Sequence, residues 1–174
     1  MLTKVPEELT DYRQAAFCAL GGIALEGIHQ AEVVPGETVA VIGMGLVGQI
    51  VCRILNAYGC DVIGYDVVDK TMPGTRLKAF INSGDDNAAD MTKALTRGRG
   101  VDKVIITAAT NSNAPMDLAA AIARDRGIIC MIGVTQMNID RRPYYERELS
   151  FRIARSYGAG RYDSTYEQKG IDYP

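Results

Sequence analysis

Residues 38–66 read TVAVIGMGLVGQIVCRILNAYGCDVIGYD, and this stretch decides the fold. Residues 38–42 form an apolar run that predicts a β-strand, and apolar residues recur at helical spacing from Val47 to Tyr58. Residues 61–66 predict a second strand, which ends in an acidic residue. A strand, a glycine-rich turn, a helix and a second strand make up a βαβ unit of the type that binds dinucleotides.

The turn between the first strand and the helix has the pattern GxGxxG. Gly43 permits a tight turn, Gly45 lets a pyrophosphate approach the backbone, and Gly48 lets the helix pack against the strand. The helix N-terminus directs unpaired amides and the positive end of its dipole at the phosphates. Similar turns occur in kinases, methyltransferases and plain loops, so an ordinary tight turn is the alternative. The apolar strand and helix on either side favour the dinucleotide.

Asp66 predicts which nucleotide binds. It lies eighteen residues after Gly48, near the place where an acidic residue accepts hydrogen bonds from the adenosine ribose hydroxyls; the alternative is a surface carboxylate. Two negative charges about 4 Å apart repel by about 4 kcal/mol at an effective dielectric of roughly 20, so Asp66 disfavours a 2′-phosphate. Lys70 is the nearest basic residue. The sequence therefore predicts NAD(H) in preference to NADP(H).

The rest of the chain alternates between strand and helix patterns. Four further strands are predicted at 79–81, 101–107, 127–133 and 149–155. The central ones are continuous apolar runs, as expected when helices cover both faces of a parallel sheet. We expect an α/β fold, a doubly wound (Rossmann) sheet of six parallel strands in the order 3-2-1-4-5-6.

Two local features are less regular. Asp11 can cap an N-terminal helix, which the pair Gly21-Gly22 is expected to interrupt. Between the second and third strands, Pro73-Gly74 makes a long helix unfavourable, and we expect only a short one from Thr75.

The loops after the fourth and fifth strands, residues 107–111 and 133–134, are expected at the carboxyl edge of the sheet, beside the nicotinamide half of the cofactor. Small residues there allow backbone contact with the ribose, and simple tight turns are the alternative. We assign no catalytic residue and no metal ligand. The predicted cofactor-binding residues are Gly43, Met44, Gly45, Leu46, Val47, Gly48, Asp66, Lys70, Ala108, Ala109, Thr110, Gly133 and Val134.

Composition narrows the range of partners. The chain has 174 residues, 47% of them hydrophobic, enough for one core and too few for two full domains. A formal net charge of −2, without a long run of one sign, gives no basic surface for nucleic acid or an anionic membrane. The four cysteines form no CxxC pair, which argues against a disulfide framework or a structural zinc site. Without a signal peptide or a long apolar span, we expect a cytoplasmic protein.

Residues 34–48, VPGETVAVIGMGLVG, resemble a phrase typical of the nucleotide-binding domain of medium-chain, zinc-type alcohol, sorbitol and threonine dehydrogenases. The resemblance covers nearly the full chain. It implies a parent enzyme that oxidises or reduces a sugar-like or other secondary alcohol or carbonyl by hydride transfer. In those enzymes the catalytic groups and zinc ligands lie mainly in a domain outside these 174 residues. Zinc is expected only there, and this piece is expected to bind the cofactor without turnover.

Residues 156–174 resemble a narrower group, in which such a dehydrogenase is fused to a glucose-fructose-oxidoreductase-like domain. We therefore expect residues 1–155, including the N-terminal helix, to form the dinucleotide-binding domain, and residues 156–174 to form a partly ordered connector to a further domain. The tyrosines of this connector are Tyr157, Tyr162, Tyr166 and Tyr173.

The resemblance also implies a homodimer formed through the last strand, at residues 150–153. Arg152 and Arg155 argue mildly against it, because charge on an edge strand discourages pairing.

Two other functions remain open. An NAD(H)-sensing regulatory module without catalysis would use the same turn and the same acid. A methyltransferase would also use a glycine-rich turn, but the length of the helix that follows and the fifth-strand region are more like those of a dehydrogenase. Zinc-ligand cysteines encoded before Met1 would favour the dehydrogenase, and a DNA-binding module would favour the sensor.

Overall fold

The sheet has six strands, and the computed structural model describes residues 5–169 of the chain. The strands are β1 (Thr38–Ile42), β2 (Asp61–Asp66), β3 (Ala79–Asn82), β4 (Val101–Ile106), β5 (Ala123–Met131) and β6 (Ser150–Ile153). Every neighbouring pair is parallel, and the order is β3-β2-β1-β4-β5-β6. This confirms the predicted doubly wound α/β sheet.

Helices lie between successive strands, except between β2 and β3, and at both ends of the described chain. The α-helices are α1 (Cys18–Gln30), α2 (Leu46–Ala57), α3 (Ala88–Leu95), α4 (Ala114–Ile122), α5 (Arg141–Glu146) and α6 (Ser164–Lys169). Two 3-10 helices cover Tyr12–Phe17 and Ala159–Arg161. No helix within residues 5–169 is both long enough and apolar enough to cross a bilayer.

Both faces of the sheet are buried. In β1, Val39 and Val41 pack with α1 and α2, whereas Ala40 and Ile42 pack with α3 and α4. All four are at most 3% exposed. Because successive strand residues point to opposite faces, a strand covered on both sides needs an apolar residue at every position. The uninterrupted apolar runs of the sequence follow from this, and they give the loops at the carboxyl edge a rigid support.

The short helix expected from Thr75 is wrong, because residues 67–78 contain turns and no helix. Side chains of α2 bind this connection instead. Arg53 donates to the Pro73 carbonyl at 2.8 Å, and Asn56 accepts from the Arg76 amide at 2.9 Å. Tertiary hydrogen bonds have replaced those that a helix would have supplied locally.

The Gly21-Gly22 pair does not interrupt α1, which is continuous from Cys18 to Gln30. Asp11 caps the preceding 3-10 helix through the Arg13 amide. Gly22 serves the packing of the C-terminal segment, because a Cβ placed on it would lie 3.1 Å from Cβ of Tyr157.

Strand β5 begins four residues before the predicted start at Gly127. Ala123 directly follows α4 with extended backbone angles and pairs with Val101 of β4, before an irregularity shifts the register. The sequence did not predict this extension, because residues 124–126 are charged and interrupt the apolar pattern. Arg124 is accommodated because its Nε donates to Asp102 of β4 at 2.6 Å.

Tyr157 and Gly158 pack against α1. Gly158 lies so close to Glu26 that a Cβ on it would be 2.7 Å from Oε2 of that residue. Arg155 stacks on the Tyr162 ring, 3.4 Å from its centroid. Residues 1–4 and 170–174, with Tyr173, lie outside the described residues, and the role of 156–174 as a connector stays a prediction.

Candidate functional site

A cavity of about 570 Å³ opens at the carboxyl ends of β1, β2 and β4. This is the edge of a doubly wound sheet where ligands bind, next to the point at which the strand order reverses. Its volume is within the range of small-molecule and cofactor sites, about 300–1,000 Å³. The lining residues are Ile42, Gly43, Gly45, Asp66, Val67, Lys70, Ser83, Gly84, Thr107, Ala108, Ala109, Thr110, Ser112, Ala114, Pro115 and Leu118.

Two glycines of the turn are required by the fold itself. Gly43 has a φ of +105°, and a Cβ there would lie 2.5 Å from the Ala108 amide nitrogen. A Cβ on Gly48 would lie 2.0 Å from the Gly43 carbonyl oxygen. Thr107 fixes the same carbonyl by donating to it at 2.6 Å. The first turn of α2 is therefore pressed against the start of the glycine-rich turn and against the end of β4.

Gly45 is different, because nothing in the described protein requires a glycine there. Its φ of −74° is open to any residue, and no atom lies within 4 Å of the position that a Cβ would take. The residue is exposed and lines the cavity. The missing side chain leaves room at the backbone for a ligand, as a pyrophosphate needs.

The N-terminus of α2 faces this room. Gly45 is the N-cap residue of α2 and has no side chain with which to cap the helix. The first turn of α2 contains no acidic residue. The first amides of a helix have no partner inside the helix, and the dipole places partial positive charge there. An anion at this position would receive hydrogen bonds and electrostatic stabilisation together.

Asp66 points toward the glycine-rich turn. Its Oδ2 accepts from the Met44 amide at 2.7 Å, while its Oδ1 accepts from the Val67 amide at 2.8 Å and from Nζ of Lys70 at 3.1 Å. The side chain is 11% exposed and lines the cavity. A carboxylate offers about four lone-pair sites, two on each oxygen. Oδ1 already accepts from at least two donors and Oδ2 from one, so Oδ2 retains capacity for a ribose hydroxyl.

Asp66 is held in its ionised form. Partial burial raises the pKa of the carboxyl, but the hydrogen bonds from the Met44 amide, Lys70 and the Val68 amide outweigh burial and leave the pKa below its usual value. Near neutral pH the cavity therefore contains a fixed negative charge beside the positive end of α2.

The loops after β4 and β5 are joined to each other. Ala109 and Val134 form a parallel bridge, in which the Val134 amide donates to the Ala108 carbonyl at 3.0 Å and the Thr110 amide donates to the Val134 carbonyl at 2.9 Å. A Cβ on Gly133 would lie 2.1 Å from the Ala108 carbonyl oxygen. These loops form one layer at the end of the cavity remote from Asp66.

The structure brings seven of the thirteen predicted residues to the cavity lining: Gly43, Gly45, Asp66, Lys70, Ala108, Ala109 and Thr110. The other six do not line it. Met44 contributes its backbone to the turn and buries its side chain in the core, Gly48 packs beneath the turn, and Leu46 lies on the exposed first turn of α2. Val47 is half-buried, Gly133 lies under Ala108, and the side chain of Val134 is 74% exposed.

Sequence reasoning missed two parts of the cavity. Ser83 and Gly84 follow β3, and Pro115 and Leu118 belong to the start of α4. The carboxyl end of β3 lies at the same sheet edge as the ends of β4 and β5, and this signal could have added Ser83 and Gly84. Gln49 was also missed; it is 3% exposed on the buried stripe of α2, where a polar residue stands out among apolar ones.

The described residues do not form a zinc site. Nowhere in residues 5–169 do three or more His, Cys, Asp or Glu side chains lie close enough together to hold a metal ion. Burial raises the pKa of Cys52 and of Cys130 to about 12, so both thiols stay protonated and unreactive near neutral pH. His29 is exposed at the end of α1.

A model of the zinc-binding dehydrogenase family, described as "Zinc-binding dehydrogenase", matches residues 47–172. The chain belongs to this family. The resemblance to the nucleotide-binding domain of medium-chain dehydrogenases is thereby confirmed.

Curated relatives and solved structures agree with the family. The chain is 28% identical to a sorbitol dehydrogenase from Bacillus subtilis, covering 97% of this chain and 47% of the relative. It is 27% identical to a probable D-xylulose reductase A from Emericella nidulans, covering 91% and 46%. A zinc-dependent alcohol dehydrogenase from Streptococcus pneumonia superposes with a TM-score of 0.77 at 25% identity, covering 99% and 51%. The chain thus spans about half the length of the curated relatives it matches.

Proposed function

We propose that this chain is the NAD(H)-binding part of a dehydrogenase that oxidises or reduces a sugar-like or other secondary alcohol or carbonyl by hydride transfer. The observation that carries the proposal is the open backbone at Gly45, which faces the start of α2 and shares a cavity with Asp66. The pyrophosphate binds at the helix N-terminus, and the adenosine ribose binds at the carboxylate. The relatives named above support the class of substrate.

NAD(H) is preferred over NADP(H) because Asp66 is ionised and held in place. A 2′-phosphate at the position of the ribose 2′-hydroxyl would meet this carboxylate at close range, whereas a hydroxyl would donate to it. Lys70 forms an ion pair with Asp66, with 3.1 Å between Nζ and Oδ1. Its 51% exposed side chain limits how far it offsets the carboxylate.

The chain binds and orients the cofactor, and the rest of the parent completes the reaction. When bound, the nicotinamide supplies or accepts the hydride. The loops after β4 and β5 support its ring end, and Ala108 and Ala109 offer backbone contact without bulk. A group that accepts the alcohol proton, and any zinc ion, belongs to a partner domain in our proposal, so this piece binds without turnover.

Two features of assembly are also proposals. Strand β6 is one of the two edges of the sheet. Arg152 does not block it, because its guanidinium donates to the Gln30 carbonyl and pairs with Glu32. We expect a homodimer through β6. Fusion to a glucose-fructose-oxidoreductase-like domain rests on the sequence of the tail alone.

An NAD(H)-sensing module is the second candidate. Asp66 and Lys70 are the titratable side chains in the lining, and they are bonded to each other. Such a lining suits binding without chemistry. Zinc-ligand residues encoded upstream in the parent gene would decide for the dehydrogenase.

Thermal unfolding in the presence of nucleotides tests the proposal. A ligand at about one hundred times its Kd stabilises the folded state by about 2.7 kcal/mol, and a domain of this size gains roughly 2–4 °C in Tm per kcal/mol. We expect NAD to raise Tm by several degrees, NADP to do so only at higher concentration, and S-adenosylmethionine to have no effect. A response to S-adenosylmethionine alone would refute the proposal.

A further inference from the structure

Gln49 is the most heavily bonded buried polar side chain near the cofactor cleft. It lies on the first turns of α2, and its amide nitrogen donates to the Met44 carbonyl at 3.2 Å and to the Lys70 carbonyl at 3.0 Å. Its amide oxygen accepts from the Met72 amide at 3.4 Å and from the Thr75 hydroxyl at 3.0 Å. Both donors and the acceptor of one side chain are therefore used, and none of these bonds is to its own helix turn.

Gln49 holds the glycine-rich turn at Met44. Met44 stands between Gly43 and Gly45, and its amide donates to Asp66 while its carbonyl accepts from Gln49. The peptide group before Met44 is thus held by β2, and the peptide group after it is held by α2. Gly45, the position that a pyrophosphate approaches, follows directly. The orientation of its backbone depends on both bonds.

Gln49 also holds the segment after β2. Residues 67–78 have no helix to stiffen them, so their position is set by what they are bonded to. Gln49 holds the carbonyl of Lys70 and the amide of Met72. The Lys70 side chain then reaches back to Asp66 at 3.1 Å. Gln49 determines the place from which Lys70 extends.

We propose that Gln49 is a positioning residue for the adenosine-ribose end of the cofactor site, and that it sets the discrimination between NAD and NADP. It does so by fixing the glycine-rich turn and the Asp66–Lys70 pair relative to each other. The role rests on the proposed cofactor function. Without Gln49, Lys70 can leave Asp66 and face a 2′-phosphate, and Asp66 loses its fixed relation to the ribose.

The test compares two substitutions on α2 that release the same connection. Gln49→Leu nearly keeps the volume of the side chain and removes all four hydrogen bonds of the Gln49 amide. Asn56→Ala, two helical turns later, removes the bond to the Arg76 amide and leaves the turn and Lys70 alone. Kd values for NAD and for NADP are measured by calorimetry on each folded variant of this chain, and the readout is the ratio of the two.

We expect Gln49→Leu to weaken NAD and to lower the ratio of Kd for NADP to Kd for NAD by about tenfold, the size of one charge-assisted hydrogen bond. Asn56→Ala should leave the ratio at the wild-type value, even where it lowers Tm. A purely structural role would weaken both nucleotides equally. Should Gln49→Leu not fold, Gln49→Met decides, because it likewise removes all four hydrogen bonds, is close to glutamine in volume and adds no charge; we expect it to lower the ratio too.

Two results overturn the role of Gln49 without touching the cofactor function. One is a wild-type ratio in a folded Gln49 variant, and the other is an equal change of ratio in Asn56→Ala. A wild-type chain that binds neither nucleotide would instead overturn the proposed function, and this role with it.

Discussion

At the scale of single residues, the three glycines of the turn are glycines for different reasons. Gly43 and Gly48 avoid clashes within the protein, whereas Gly45 borders open space. The sequence motif predicts all three positions and assigns the ligand role to Gly45, but it does not show the clashes at the other two. A Cβ on Gly43 would meet Ala108, and one on Gly48 would meet Thr107 as well as the Gly43 carbonyl, and both Thr107 and Ala108 lie far along the chain. The distinction leads to opposite expectations for the same substitution.

Gly45→Ala should fold and bind poorly. Its backbone angles suit alanine, so we expect a loss of stability below about 1 kcal/mol, the usual cost of alanine at a helix N-cap. The added methyl group occupies the approach of the pyrophosphate, and we expect NAD affinity to fall at least about tenfold, as for a moderately overpacked contact. Urea unfolding and calorimetric titration measure the two effects.

Gly48→Ala is the matched contrast. Its new Cβ would meet the Gly43 carbonyl oxygen at 2.0 Å, so the cost appears in stability, by about 1–3 kcal/mol or more. If Gly45→Ala proved the more destabilising of the two, the assignment of Gly45 to the ligand would be wrong.

Asp66→Asn tests the carboxylate. We expect NAD to bind about tenfold more weakly and the preference over NADP to shrink, because the ribose hydroxyls lose a charged acceptor and the 2′-phosphate loses a repulsive one. Since the pKa of Asp66 lies below its usual 3.8, wild-type affinity should not titrate through this group between about pH 5 and pH 8. An unchanged NADP to NAD ratio in the variant would count against Asp66.

At the scale of elements, the apolar runs were sufficient to predict the strands, their order and the edge at which the cavity forms. They were insufficient for the connection of residues 67–78 and for the start of β5. In both places side chains distant in sequence supply the decisive bonds: Gln49 and Arg53 to the connection, and Asp102 to Arg124. Local propensity carries no information about such partners.

Asp102 joins three strands at the edge opposite the cavity. Its carboxylate accepts from the Thr38 amide of β1 at 2.8 Å and from Arg124 of β5 at 2.6 Å. We expect Asp102→Ala to lower the free energy of unfolding by about 2–4 kcal/mol, and to leave the Kd for NAD unchanged. A loss of NAD affinity in the folded variant would show that the two edges are not independent.

The same carboxylate gives a pH dependence. Burial raises the pKa of Asp102, but the hydrogen bonds from Thr38 and Arg124 bring it below 3.8 overall. The stabilisation is therefore fully present above pH 3.8 and is lost as the pH falls through the lower native value. The difference in unfolding free energy between wild type and Asp102→Ala should shrink over this acidic range; a difference that grew there would contradict the shift.

Strand β6 leads to a prediction about association. Ile153 is 56% exposed on the edge strand, and a lysine there would put a positive charge on the pairing edge of each copy, which discourages strand pairing. We expect Ile153→Lys to be monomeric and fully folded where the wild type is a dimer, as measured by sedimentation. A wild-type chain that is monomeric at high concentration would contradict the dimer.

At the scale of the whole molecule, this chain spans about half the length of its curated relatives. We assign no catalytic group to its cleft. We expect the isolated chain to bind NAD and to show no NADH formation with sorbitol or xylitol, because in our proposal the group that accepts the alcohol proton belongs to another domain of the parent. Absorbance at the NADH band measures this. Steady turnover would place catalytic groups within this chain.

The most direct test of the account is a crystal structure of this chain grown with NAD. We predict the pyrophosphate against the Gly45 backbone at the start of α2, and a ribose hydroxyl within hydrogen-bond distance of Asp66, about 2.6–3.2 Å. A dinucleotide bound elsewhere, or one in this cleft whose ribose does not contact Asp66, would contradict it.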